Sequence, residues 1–201
     1  MFQKKEQLNL NQSIILVLGF IFFICITLNS KVIANNTIFF SQQEKVNLLD
    51  EKTSFLLPIR FKIPKLNINS SIEYVGVTSD GAMDVPEGPI DVAWYKFGSR
   101  PGELGSAVIA GHSGWKDGLP AVFDDLYKLR KGDKIYIEDE KGKIITFIVR
   151  ESKIYDENRD TEDVFGLKDG KSHLNLITCE GAWNETEKGR PNRLIVFSDR
   201  E

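Results

Sequence analysis

Cysteine is scarce in this chain, with two in 201 residues. That excludes a disulfide-stapled scaffold, which needs several pairs to make up for a small core. Histidine is equally rare, at two, and no cluster of His and Cys has the spacing of a structural zinc site. A loop calcium site built from Asp and Glu stays open. Basic charge is not in excess either: 26 Lys and Arg against 29 Asp and Glu leave a net charge of −3. A nucleic-acid partner requires a basic face, so that class is set aside. No internal repeat or low-complexity tract is visible. With 41% hydrophobic residues the chain is too apolar for disorder, and its length suits one domain with its own core.

Long apolar runs are also few, and the one present lies at the N-terminus. Ile14 to Leu28 is uncharged, with Lys4 and Lys5 before it and Lys31 after. At about 1.5 Å per residue it is somewhat shorter than a bilayer core of roughly 30 Å, and Ser13 and Val32-Ile33-Ala34 extend it. It reads either as an uncleaved anchor with its lysines inside or as a cleaved signal peptide ending near Ala34. Either way the rest of the chain is expected outside the cytoplasm. It would be tethered by a single pass at the cell membrane, or secreted if the segment is removed. The expected organisation is a signal-anchor over 1–34, a stalk over 35–57 with a short helix near 42–50, and a folded domain over 58–201.

The division separates the cysteines. Cys25 falls within the apolar run as a small hydrophobe, so Cys179 is the only thiol in the exported part and has no intrachain partner there. Removing residues 1–34, with three lysines and one glutamate, leaves 23 basic and 28 acidic residues. The exported part is no polybasic membrane binder.

From Pro58 the pattern is strands and turns. Residues 59–63, 67–69 and 72–75 alternate with period two, and Ser79-Asp80-Gly81 marks a turn. Ser106 to Ala110 is a short apolar run ended by Gly111. Residues 134–138 and 144–149 flank Asp139-Glu140-Lys141-Gly142, which is hairpin chemistry. Residues 174–178 and 194–197 are two more runs, and only Leu119 to Leu129 has a helical pattern. Seven or eight short strands suggest a closed barrel or a sandwich.

Three reactive side chains stand at the ends of these runs. His112 sits in Ala110-Gly111-His112-Ser113-Gly114, Cys179 closes Leu174-Asn175-Leu176-Ile177-Thr178-Cys179, and Arg193 opens Arg193-Leu194-Ile195-Val196-Phe197. A thiolate is a strong nucleophile, and an imidazole can take its proton and later protonate a leaving amine. A guanidinium is no base, but it can donate to a substrate carbonyl or to an oxyanion. Together they describe acyl transfer through a thioester. His173, in Lys171-Ser172-His173, reads as an exposed turn. Thr178 stands beside the thiol and could orient substrate or Arg193. Trp115 and Trp183 follow the two catalytic candidates and either wall a cleft or pack in the barrel. Residues 180–192 read as a long polar loop beside the site.

Ala110-Gly111-His112, Leu176-Ile177-Thr178-Cys179 and Arg193-Leu194-Ile195-Val196 resemble the sortase family of cysteine transpeptidases, over about residue 58 to the C-terminus. The resemblance implies an all-β fold, a closed eight-stranded barrel with short helices, and no cofactor. It implies cleavage of an LPxTG-like sorting signal of secreted surface proteins between Thr and Gly, with transfer of the acyl group to an amine of a wall precursor or another acceptor. Cys179 would be the nucleophile, His112 the general acid/base and Arg193 the group that holds substrate and oxyanion, with Arg190 its rival from a turn. Asn175 departs from the family's usual Thr, and its expected effect is on local packing. The lack of an N-terminal lid with an Asp-Pro-aromatic anchor, and the close of the chain at Glu201, point to a lid-free, non-pilin subgroup. Two alternatives stand beside this reading. One is an exported cysteine hydrolase on the same residues, although papain-like wall peptidases place Cys before His. The other is a tethered barrel that binds without chemistry.

Overall fold

The computed structural model describes residues 57–156, 159–186 and 189–201. The expected anchor, the stalk up to residue 56 and the short helix near 42–50 lie outside the described residues. Among the described residues no helix is long and apolar enough to cross a membrane.

Eight strands form here: β1 (Pro58–Ile63), β2 (Ile68–Val75), β3 (Val92–Tyr95), β4 (Gly105–Ala110), β5 (Lys134–Asp139), β6 (Ile144–Asp156), β7 (Ser172–Glu180) and β8 (Asn192–Arg200). They close into a barrel in the order β1-β2-β3-β4-β7-β8-β6-β5. The β2/β3 and β4/β7 pairs are parallel and the rest antiparallel. An α-helical turn, α1 (Glu162–Phe165), lies between β6 and β7.

Alternation of apolar residues explains the interior. Phe61, Ile63, Ile109, Ile135, Ile137, Phe147, Leu174, Leu176 and Val196 belong to one buried cluster. Each such side chain contributes about 2 kcal/mol by leaving water. The central strand β7 is buried on both faces for most of its length. Leu174 and Leu176 face the barrel interior. Asn175 and Ile177 face outward, under the segment that carries α1. A second small cluster forms there from Val108, Tyr155, Val164, Ile195 and Phe197. Strands covered on both sides read as continuous apolar runs, as 174–178 does.

A bulge in β6 decides which of its residues face outward near the barrel rim. Val149 pairs with Ser198, but after a register shift Glu151 pairs with Phe197. Odd-numbered residues before the shift, such as Phe147 and Val149, point inward. After it, Tyr155 lies on the outer face opposite Arg193. An inserted residue reverses which parity faces which side.

The β5–β6 hairpin forms where expected. The Asp139 carboxylate accepts from the Lys141 and Lys143 N–H groups at 2.9 Å each, and Gly142 supplies φ +79°. Two expectations are corrected, and one strand, β3, has no sequence signal. Leu119–Leu129 is no α-helix but a series of turns with one 3-10 turn at Leu126–Lys128. Its helix-like spacing arises because Phe123, Leu126 and Leu129 all pack into the barrel core, while Asp124 captures the backbone N–H groups of Gly114 and Ala121. Strand β3 carries no alternation, since Val92, Ala93 and Trp94 are all buried, and a search for period two passes over it.

The second correction concerns His173, which is no exposed turn. It lies in β7, 2% exposed, with Nδ1 2.7 Å from Asp199 Oδ1 and Nε2 2.9 Å from Asp169 Oδ1. The His173 hydrogen bond, more than the Lys171 N–H, holds the Asp169 carboxyl below its ordinary range. A carboxylate on each ring nitrogen makes burial of this imidazole tolerable.

Candidate active site

Sheet register assembles the site. Parallel pairing sets Ala110 of β4 beside Ile177 of β7, and the Gly111 N–H continues the ladder to Ile177 O at 3.2 Å. Carrying that register on by two residues brings His112 alongside Cys179. On the other side of β7, antiparallel pairing sets Cys179 directly opposite Arg193, where Cβ atoms stand roughly 5 Å apart and on one face. Arg193 in turn faces Tyr155 of β6. His112, Cys179, Arg193 and Tyr155 thus form a row across four neighbouring strands on the outer face of the barrel.

Local structure fixes the ends of the row. A Cβ at Gly111 would meet the Phe123 ring at 2.5 Å and Val122 at 2.8 Å, so the Gly-His step is a packing requirement. Thr178 is buried on the interior face, and its Oγ1 donates to Gly111 O at 2.7 Å. That bond ties the residue before Cys179 to the residue before His112. The His112 ring packs on Trp115 with centroids 4.7 Å apart and planes tilted by 59°. Its Nε2 lies 2.8 Å from Pro86 O. A carbonyl only accepts, so Nε2 donates to it, and Nδ1 is the nitrogen left to exchange a proton with another group. Cys179 is a free thiol of intermediate exposure. Arg193 Nη1 donates to Arg190 O at 2.7 Å and Asn192 O at 2.9 Å, which fixes the plane of its guanidinium.

Tyr155 is the member of the row that no sequence signal marks. It is 2% exposed and donates to Asp163 Oδ2 at 2.6 Å. Burial first, and then that carboxylate, push its pKa up to about 12. The Arg159 guanidinium stacks 4.2 Å from its ring centroid.

Two cavities meet at His112, Cys179 and Arg193. One, of about 610 Å³, runs over the outer face past Ala110, Ile177 and Ile195 and is walled by Val77, Met83, Val85, Tyr95 and Phe165. The other, of about 640 Å³, lies on the opposite side, between Trp115, Lys116, Trp183 and Arg190. Arg190, the rival cation, belongs to the second cavity alone; Arg193 borders both. Asn175, buried under α1, donates from Nδ2 to Val164 O at 2.6 Å, so the departure from Thr sits in the packing of the groove wall. Among the described residues no group of three or more His, Cys, Asp or Glu is arranged to hold a metal ion.

A closed eight-stranded barrel thus carries a thiol, an imidazole and a guanidinium aligned at the meeting of two clefts, residue types suited to acyl transfer through a thioester. A family model described as "Sortase domain" matches residues 61–201, and the chain belongs to the sortase family. It is a sortase-type cysteine transpeptidase in that general sense. Solved structures similar to it include sortase A from Corynebacterium diphtheriae in a lid mutant, at 22% identity and a TM-score of 0.57 over 76% of this chain and 75% of that one. Sortase C from Clostridium perfringens SM101 is also 22% identical, with a TM-score of 0.54 over 72% and 70%. Sortase C-1 from Actinomyces oris matches at 22% and 0.57 over 79% and 81%. These likenesses bear out the fold and span sortases named A and C, so the subgroup stays unresolved. No curated protein matches the chain.

Proposed function

We propose that this chain cleaves an LPxTG-like sorting signal through a thioacyl-enzyme on Cys179 and passes the acyl group to an amine, anchoring secreted proteins at the cell surface. The observation that carries the reading is the alignment of Cys179 and Arg193 across β7 and β8 with His112, two residues past the end of β4. The apolar groove suits the extended, apolar part of a sorting signal, laid along the outer face of β4 and β7.

His112 takes the proton of the Cys179 thiol, the thiolate attacks the Thr–Gly carbonyl, and Arg193 donates to the oxyanion that forms. His112 protonates the leaving amine, the C–N bond breaks, and a thioester remains. An acceptor amine then attacks that carbonyl and gives its proton to His112. The amide bond forms, the C–S bond breaks, and Cys179 leaves as thiolate. Thr178 acts in this scheme as a positioning residue, holding the backbone that carries His112.

The apolar run over 14–28 is proposed as the membrane anchor of a lid-free enzyme whose catalytic domain faces outside. Cell fractionation that left the chain soluble in the cytoplasm would remove that part of the reading. For the reaction, the chain is incubated with an LPxTG-type peptide and an amine, and products are resolved by mass spectrometry. Amide product that disappears in Cys179→Ala is the expected result. Cleavage that persists in Cys179→Ala would overturn the proposal.

A further inference from the structure

The described residues of the second cavity carry charge of one sign. Beyond the residues of the row it presents Lys116 and Arg190 between the rings of Trp115 and Trp183, and among the described residues that line it none is acidic. Asp124 reaches this wall, but its two carboxylate oxygens accept from Gly114 N at 2.6 Å and Ala121 N at 2.9 Å. Lys116 is exposed, with Nζ 5.6 Å from the centroid of the Trp115 ring. Arg190 is held from behind, where Nη1 donates to Gly181 O at 2.9 Å. Its guanidinium lies against Gly114, where a Cβ would come within 2.9 Å of Nη2 and φ is +73°. The glycine leaves room for that cation.

An alkyl amine is an ammonium ion at neutral pH, and a cleft lined by Lys116, Arg190 and Arg193 repels it. An amine whose own carbon bears a carboxylate enters with no net charge, and its carboxylate meets cations on arrival. The apolar groove on the other side of Cys179 leaves this basic cavity for the second substrate. Resting on the transpeptidase reading, we propose that the basic cavity selects acceptor amines that carry a carboxylate on the amine-bearing carbon, with Lys116 and Arg190 receiving that carboxylate. The amine nitrogen then lies toward the thioester on Cys179. It attacks the carbonyl, loses its proton to His112, and displaces the thiolate.

The test offers the full chain an LPxTG-type peptide together with equimolar glycine and glycinamide, and separates the two aminolysis products by chromatography. Both amines draw on the same acyl-enzyme, so the product ratio is independent of the acylation rate. Glycinamide has more free amine at neutral pH, so each product ratio is divided by the ratio the same two amines give in uncatalysed aminolysis of a peptide thioester. That normalised ratio should favour glycine by about fivefold, the size of a partly exposed charge contact. The ratio should fall to parity or below in Lys116→Gln and invert in Lys116→Glu, whereas Arg190→Lys, which keeps the charge, retains the preference. A normalised ratio of one in the unaltered chain, or a normalised glycine preference that survives Lys116→Glu, would overturn the acceptor assignment alone. Hydrolysis with neither amine incorporated would overturn the transpeptidase reading and this assignment with it.

Discussion

Removing the Thr178 hydroxyl should damage both stability and turnover, although that hydroxyl faces away from the thiol. Thr178→Val keeps the shape of the side chain and the apolar contacts of the interior face. What disappears is the 2.7 Å bond to Gly111 O, and Gly111 is buried. A buried carbonyl left without its donor costs about 1 to 3 kcal/mol. For a folded unit of this size each kcal/mol lowers the Tm by about 3 °C, so a calorimetric drop of roughly 3 to 9 °C is expected. The same bond ties the Cys179 strand to the residue before His112, and small misplacements of a catalytic group cost heavily. A loss of about tenfold in kcat with little change in KM is expected, read from steady-state cleavage of a fluorogenic sorting-signal peptide. Thr178→Ser keeps the hydroxyl and should recover most of the turnover. The reasoning fails if Thr178→Val melts and turns over as the unaltered chain does, or if Ser is no better than Val.

Other contacts give three more outcomes. Arg193→Lys should lose nearly as much kcat/KM as Arg193→Ala, because an ammonium cannot reproduce a planar fork aimed at an oxyanion; near-full activity in the Lys variant would remove that role. Asn175→Ala leaves Val164 O without the 2.6 Å donor and should destabilise the fold by about 1 to 2 kcal/mol in urea titration, with unchanged stability counting against a structural role for that bond. Tyr155, whose folded pKa is raised from 10 to about 12, contributes stability fully present below pH 10 and lost as pH climbs toward 12. Thermal melts over that window should therefore fall less steeply in Tyr155→Phe, and identical slopes would contradict the raised pKa that burial and Asp163 give Tyr155.

The reactive row is legible in the sequence because its members stand where apolar runs stop. A buried strand needs uninterrupted apolar residues, so Gly111-His112, Cys179 and Arg193 announce themselves as breaks in that pattern. What the sequence lacks is register, which alone brings runs from 105–110, 172–180 and 192–200 side by side. Tyr155 is hidden because the β6 bulge reverses parity, so its outward position does not follow from the alternation of Ile145, Phe147 and Val149. His173 misleads for a different reason. Its polar neighbours suggest a turn, and the carboxylate opposite it, Asp199, comes from β8. The spacing of Phe123, Leu126 and Leu129 suits either a helix or a run of turns over a core, and only packing distinguishes them.

The most direct test of the central claim is the intact mass of the chain quenched in acid during turnover of an LPxTG-type peptide. The account predicts an adduct equal to the peptide acyl fragment ending at Thr, mapped to Cys179, discharged by an added amine and absent from Cys179→Ala. Turnover at the usual rate with no adduct on Cys179, or an adduct mapped to another residue, would contradict it.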